Sequence, residues 1–338
     1  MVSDGLGDWK KDITKWALDL GFVAIRFTTA EPIAGLEHFL QTRFEQGMST
    51  PFEHKEIRQR VDPKTVWQDC RGMAVLAYPL PHTVAPDKGE GVLARSAVGE
   101  DYHRVINQRL KELNKRMVIH HWPGELRWQV DTGPLVERAF AVRAGLGWIG
   151  RNQQLIIPGY GSFVCLALLL LDREIPIDDT ISNLCGNCQK CEQACPAQIL
   201  GKEFFAARNC YSYLTQSKEV LTMAEGKGLG ARIFGCDTCQ EVCPHNQPWI
   251  QEELKDLSPA SPKRGVDLLN TLSLTKGEFK NDFFPTAAGW RGKGILQRNA
   301  FLAMRHAQDA RLNLWLTIRE KSKIPSILTP YLERNEER

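Results

Sequence analysis

Much of what would mark an exported or membrane protein is missing from this chain. Its longest apolar run, Phe163–Leu171, spans nine residues, well short of the ~20 needed to cross a bilayer as a helix. The opening MVSDGLGDWKKD has no apolar leader core and no twin arginine. Ten cysteines in 338 residues are too sparse for a secreted disulfide scaffold. The expectation is a cytoplasmic protein with no membrane partner. Net charge is also small, +3, so uniform attraction to a polyanion is excluded. The charge is unevenly placed, however. Residues 263–338 carry 14 Lys/Arg and 8 Asp/Glu, and residues 1–262 are correspondingly −3. A basic tail on a near-neutral body fits either a polyanion contact or a solvated helical surface. No convincing internal repeat is present, although the terminal helices can be read as a degenerate, HEAT-like pair.

The cysteines are concentrated instead. Eight of the ten lie between 185 and 243, as Cys185-x2-Cys188-x2-Cys191-x3-Cys195-Pro196, then Cys210, then Cys236-x2-Cys239-x3-Cys243-Pro244. A cubane [4Fe-4S] cluster takes four thiolates, so eight cysteines suit two clusters with none over. In the bacterial two-cluster run the last cysteine of each group reaches to the other cluster. That rule assigns Cys185, Cys188, Cys191 and Cys243 to cluster one, and Cys195, Cys210, Cys236 and Cys239 to cluster two. Structural zinc usually pairs two C-x2-C knuckles across a gap and rarely shows three cysteines at successive x2 spacings. Two clusters in series form a one-electron wire, which implies a low-potential electron donor at one end and a redox centre at the other. Cys70 and Cys165 are left over and read as inert core residues.

Around this window the pattern divides the chain into an α/β (α+β) core over 1–175, an inserted ferredoxin-like two-cluster module over 176–250, and an α-helical region over 251–338. In the core, Asp8 can cap a helix bearing Trp9, Ile13, Trp16, Ala17 and Leu20. FVAIRFT and MAVLAYPL read as strands, Leu36, Phe39, Leu40 and Phe44 mark a second helix, and 100–117 a third. LRWQV is a strand, Asp131-Thr132-Gly133 a turn, and Pro134 the expected first residue of a helix ending near Gly145. Strands near 153–157 and 162–171 complete the layer, and a helix is expected around 294–307.

Asp131, at a strand end before a tight turn, is the candidate catalyst. Sites in open α/β sheets gather beyond the carboxyl ends of strands, and burial there can raise a carboxyl's pKa enough for a general acid. The competing role is a helix N-cap. Gly145-Leu-Gly-Trp-Ile-Gly150 matches G-x-G-x-x-G but follows a helix instead of a strand, which argues against dinucleotide binding; the glycines suit close approach of backbone to a flat ligand. Asp101-Tyr102-His103 contains the D-x-H start of a cobalt-ligating motif, but Ile106 stands where its glycine belongs. His103 therefore reads as a hydrogen-bonded helix-start histidine.

RQRVDPKTVW (58–67), GEDYHRV (99–105), VDTGPLVERAFAVRAGLGWIGRN (130–152) and the paired cysteine runs together resemble epoxyqueuosine reductase, along essentially the whole chain. The resemblance implies a cytoplasmic, monomeric enzyme with a core related to reductive dehalogenases. It would reduce epoxyqueuosine to queuosine at the anticodon wobble position of tRNA, the last step of queuosine biosynthesis, using two [4Fe-4S] clusters and base-off cobalamin. It implies Asp131 as proton donor and Arg58, Asp131, Arg138, Trp148, Asn152, Leu155, Ser212 and Tyr213 around the corrin. One local departure is Ser96, where the family often carries an aromatic residue. The basic tail then becomes the tRNA contact, through Lys280, Trp290, Arg291, Lys293, Gln297 and Arg298, with Trp290 as a base-stacking surface or a core tryptophan. A reductive dehalogenase is the rival enzyme and a ferredoxin-type electron carrier the rival without catalysis. The carrier leaves the 175-residue core and terminal helices without a purpose.

Overall fold

A computed structural model describes residues 6–247, 250, 261–318 and 324–333. At its centre is a four-stranded sheet in the order Ala24–Thr29, Gly72–Pro79, Val164–Leu171, Leu126–Gln129, with every neighbouring pair antiparallel. Side chains alternate strictly through it. Ala74, Leu76, Ala167, Leu169 and Leu171 face one core, and Met73, Val75, Ala77, Leu168 and Leu170 face the other, as the two-residue period of a strand requires. Both faces are covered, which is why MAVLA and LALLLL are apolar throughout. Helices Leu6–Asp19 and Tyr102–Ile119 lie on the first face, the latter through Ile106, Leu110, Leu113 and Met117 at helical spacing. Helix Glu137–Arg143 lies on the second, through Phe140 and Ala141.

Four expectations change here. The sheet is antiparallel, so the rule for parallel α/β sheets does not locate the site. Leu155–Ile156 leaves the sheet and pairs only with Trp148–Ile149. The helix after Asp131 starts at Glu137, three residues past Pro134. The intervening backbone is held elsewhere: the Gln129 amide bonds both the N–H and the C=O of Leu135, and Val136 N–H donates to Arg60 O. The glycines of 145–150 approach protein, not ligand. Gly145 has φ +72°, and a Cβ there would lie 1.8 Å from the Asp179 carbonyl oxygen.

A three-stranded sheet ties the parts together, with Gly91–Leu93 parallel to Arg232–Phe234 and antiparallel to Gly265–Val266. Tyr213, Leu214, Leu229 and Ile233 pack with Leu272, Leu296, Ala300, Phe301 and Met304 of helices Leu268–Ser273 and Lys293–His306. Residues 211–234 thus share the core of the terminal helical region as well as adjoining the cysteines. Among the described residues no helix is long and apolar enough to cross a membrane.

Candidate active site and cluster sites

The eight clustered cysteines divide between two cavities. A cavity of about 220 Å³ is lined by Cys195, Cys210, Cys236 and Cys239 together, and a hollow of about 30 Å³ by Cys185, Cys188, Cys191 and Cys243. Short helices Lys190–Ala194 and Thr238–Glu241 lead into Cys195 and Cys243, and the prolines after them turn the chain away. Cys195 and Cys243 are thereby exchanged between groups. Burial pushes the Cys191 and Cys210 thiols up to about 11, so a bound cation must draw off their protons. Among the described residues no three His, Cys, Asp or Glu side chains converge tightly enough for a single metal ion. Trp148 Nε1 donates to Cys185 Sγ at 3.4 Å and Arg232 Nε to Cys236 Sγ at 3.2 Å. Asn152 is buried and lines both hollows.

The cluster-two cavity adjoins a larger one of about 440 Å³, with Gln154, Ser162, Val164, Cys165, Phe205, Cys210 and Ser212 common to both walls. That cavity continues past Thr50, Arg138, Phe205 and Ala207 into another of about 450 Å³. Asp131 stands in its wall. It is not a helix cap, since Val136 occupies the N-cap position. Its backbone is left-handed, φ +54°, an uncommon state for a non-glycine residue and one that clusters at functional sites. Three contacts hold it there. Tyr102 Oη donates to Asp131 Oδ2 at 2.7 Å, His103 Nε2 lies 3.3 Å from the same oxygen, and the Asp131 N–H donates to Glu137 Oε1 at 2.7 Å. The side chain is 59% exposed, and its open side is the cavity.

The expectation of a raised Asp131 pKa is reversed. The His103 imidazole facing it holds the carboxyl below its ordinary range, aided by Tyr102 and against desolvation. His103 is correspondingly above its ordinary value: burial opposes its charge, but its bonds to Asp131 and Asp101 outweigh that. Glu137 carries the raised carboxyl. Burial, with the Asp131 charge adding to it, pushes Glu137 up to about 8. Since native Glu137 keeps its proton above the ordinary 4.5, stability from this group is complete below that value and declines up to about 8. The expected slope is about 1.4 kcal/mol per pH unit while only the native state is protonated. Glu137→Gln should flatten this decline, as followed by chemical denaturation across the window. Identical pH dependence in both proteins would show Glu137 to be ionised in the native state.

Several expected corrin-lining residues do line the large cavity: Asp131, Arg138, Leu155, Ser212 and Tyr213. Three others do not. Arg58 is exposed and absent from every cavity described, whereas Arg60, two residues on, lines the cleft and pairs with Glu53 at 2.9 Å. Trp148 is buried against Cys185 and His245. Asn152 faces the cysteine hollows. Ser96 lines the cluster-two cavity. Cys70 is buried core as expected, but Cys165 is only partly buried and forms cavity wall. Thr50, Phe52, Gln154 and Phe205 carry no sequence signal for the site, and only tertiary packing brings them here, whereas Gln216 belongs to the stretch after Cys210 expected beside the corrin.

In the terminal region, Trp290 is 54% exposed, which removes the core reading. It stacks edge-on to Phe52 at 5.1 Å, Phe52 lies 5.0 Å from Tyr213 of the cavity wall, and Arg291 covers the Trp290 and Phe52 rings. Lys280 is exposed and Lys293 half-buried. Gln297 and Arg298 are corrected: both are buried. Arg298, 1% exposed, donates to the carbonyls of Leu214, Ser217 and Glu219, and Gln297 to those of Leu272 and Leu274. They fasten the terminal helix to the 211–219 segment and have no free group for a phosphate.

Residues 60–132 match the family model "Epoxyqueuosine reductase QueG, DUF1730", and residues 184–246 match the "4Fe-4S double cluster binding domain". The epoxyqueuosine reductase of Lactococcus garvieae is 36% identical over 89% of this chain and 87% of its own length. That of Bacillus subtilis is 34% identical over 89% and 80%. The solved epoxyqueuosine reductase of Streptococcus thermophilus superimposes with TM-score 0.83 at 36% identity, covering 91% of this chain and 84% of that one. A crystal structure of an epoxyqueuosine reductase with an epoxyqueuosine-modified tRNA-Tyr stem loop superimposes with TM-score 0.84 at 33% identity, covering 92% and 84%.

Proposed function

We propose, from the premise that this chain belongs to the epoxyqueuosine reductase family, that it reduces epoxyqueuosine to queuosine at the wobble position of the tRNA anticodon. The observation that carries the reading most directly is Asp131, a carboxylate on a left-handed turn, opening into a cavity that shares a wall, Cys210 included, with the cavity lined by Cys195, Cys210, Cys236 and Cys239. A double-cluster domain accounts for those cysteines, with Cys185, Cys188, Cys191 and Cys243 holding one cluster and Cys195, Cys210, Cys236 and Cys239 the other.

The large cleft also suits a corrin. Leu155, Val164, Leu166 and Phe205 give it apolar wall, and Arg138, Ser212, Thr50 and Gln154 give it polar groups for amide side chains. Among the described residues no histidine lines it, and both ring nitrogens of His103 already face carboxylates. The donor set therefore fits cobalamin held without a protein ligand to cobalt. When bound, cobalamin would supply a low-potential reductant or nucleophile beside the epoxide. The protein's own part is to hold the epoxide-bearing base in the cleft, to keep bulk water out with Phe205, Tyr213 and the 50–53 segment, and to place a proton at the departing oxygen through Asp131. A low-potential electron donor feeds the clusters, and the working unit is a cytoplasmic monomer.

The tRNA is read as lying over Phe52, Trp290 and Arg291, where an unpaired loop base can stack beside the cavity mouth. The terminal helices, as a degenerate helical-repeat pair, would then present Lys280 and Lys293 to phosphates. Trp290→Ala should weaken stem-loop binding by about 1–3 kcal/mol. Replacing Lys280, Arg291 and Lys293 with glutamine should lower the slope of log K against log salt by up to about three units. An unchanged slope in titrations of the triple variant would place the RNA elsewhere.

Expression in a bacterium deleted for its own enzyme tests the whole reading. Queuosine should replace epoxyqueuosine in the digested tRNA; persistence of epoxyqueuosine alongside fully loaded protein would refute it.

A further inference from the structure

We propose that His103 is the proton store of this active site, recharging Asp131 along the line Asp101–His103–Asp131. The inference rests on the epoxide-reduction reading above and deepens it. In that reaction both carbon–oxygen bonds of the epoxide break and a carbon–carbon double bond forms. Two electrons arrive from the low-potential donor through the clusters, and the oxygen takes two protons and leaves as water. One carboxyl delivers one proton, so a second must come through the same wall.

The geometry selects His103 from the groups around Asp131. Asp101, Tyr102 and His103 lie at the start of helix Tyr102–Ile119, Glu137 and Arg138 on the following helix, and Cys165 on the strand opposite. Glu137 is occupied by the Asp131 N–H and the Gln129 amide. Arg138 donates to the Gln153 carbonyl. Burial holds the Tyr102 hydroxyl and the Cys165 thiol far above their ordinary pKa values, so neither releases a proton readily. His103 alone has a carboxylate at each ring nitrogen, Asp101 Oδ1 at 2.7 Å from Nδ1 and Asp131 Oδ2 at 3.3 Å from Nε2. Nδ1 is hydrogen-bonded to Asp101, whereas Nε2 stands at ion-pair distance from Asp131 without a hydrogen bond in this arrangement; only the imidazolium carries a proton at both nitrogens. The side chains of His103 and Asp101 are 27% and 23% exposed, which gives the line an outlet to solvent. Tyr102 stacks on the imidazole at 4.1 Å and fixes its plane.

The sign of the pH dependence follows. The charged, proton-bearing form of His103 is the active one, and its pKa lies above the ordinary 6.5. Turnover should therefore fall as pH rises through that raised value. The test is kcat and KM on a modified stem-loop across pH for the parental enzyme, His103→Gln and Asp101→Asn, all with full cluster and cofactor content. His103→Gln should lower kcat by about tenfold or more, leave KM near parental, lose the alkaline fall, and recover with added imidazole. Asp101→Asn removes one of the two carboxylates that raise His103, so the alkaline fall should move to lower pH. Parental turnover in the same assay carries the underlying function; the proton store stands or falls on how the variants differ from it. If His103→Gln keeps the parental kcat and alkaline fall, or if Asp101→Asn leaves that fall in place, His103 only braces the turn.

Discussion

Asp131→Asn is expected to lower product formation by about 10²–10⁴-fold, the range of a lost general acid, with iron content and cofactor loading at parental levels. Asparagine keeps the size of the side chain and an acceptor for Tyr102 and His103, so the turn should survive. It has no acidic proton to give. The left-handed backbone at Asp131 makes the substitution informative, because asparagine tolerates that conformation about as well as aspartate. A loss through misfolding would appear as altered cluster content; a loss of chemistry would not. Turnover near parental in the loaded variant would leave Asp131 as a structural turn residue and move the acid to a neighbour. Because the resting carboxyl is held below its ordinary range by His103, the active proton must be drawn from that network, not from a permanently protonated aspartic acid.

The second large effect concerns Cys243. It sits in the C-terminal cysteine group, yet it faces Cys185, Cys188 and Cys191. Cys243→Ser should therefore abolish the same cluster as Cys185→Ser, and iron after anaerobic reconstitution should fall from about eight to about four per chain. Cys210→Ser should instead damage the cluster shared with Cys195, Cys236 and Cys239. Electron paramagnetic resonance of the reduced proteins separates the two outcomes. A Cys243 variant whose spectrum matches that of Cys236→Ser would undo the crossed arrangement.

The cysteine sets were legible in the sequence because cluster ligation is written in short spacings that each close a local loop. Asp131 was legible as a position but not as a charge state. The residue that decides its protonation, His103, starts a helix 28 residues earlier and reaches it only when that helix crosses the sheet beside residue 131. D-x-H was read as an incomplete metal motif, and its pairing with Asp131 had no local trace. Arg58 and Arg60 show the limit of motif transfer. They lie on one short helix, Ile57–Val61, where two residues turn the side chain to the opposite side, so only one enters the cleft. Gln297 and Arg298 fall in ILQRNAFLAM, a segment whose residues are buried all round. The consecutive polar residues Gln297, Arg298 and Asn299 hide that burial in the sequence, because what makes it tolerable is the set of distant backbone carbonyls that accept from them. The charges at 319–323 and 334–338, which belong to the same tail, lie outside the described residues. Phe52 had no signal at all; long-range packing alone brings it to the cavity mouth.

The most direct test of the account is a single turnover in vitro. The reconstituted protein, chemically reduced and mixed with an epoxyqueuosine-bearing stem-loop, is followed by mass spectrometry of the RNA, with Asp131→Asn in parallel. The account predicts loss of one oxygen atom from the modified base with the parental protein and an unchanged mass with Asp131→Asn over the same time. An unchanged mass with parental protein holding both clusters and cobalamin, or equal conversion by the two proteins, would contradict it.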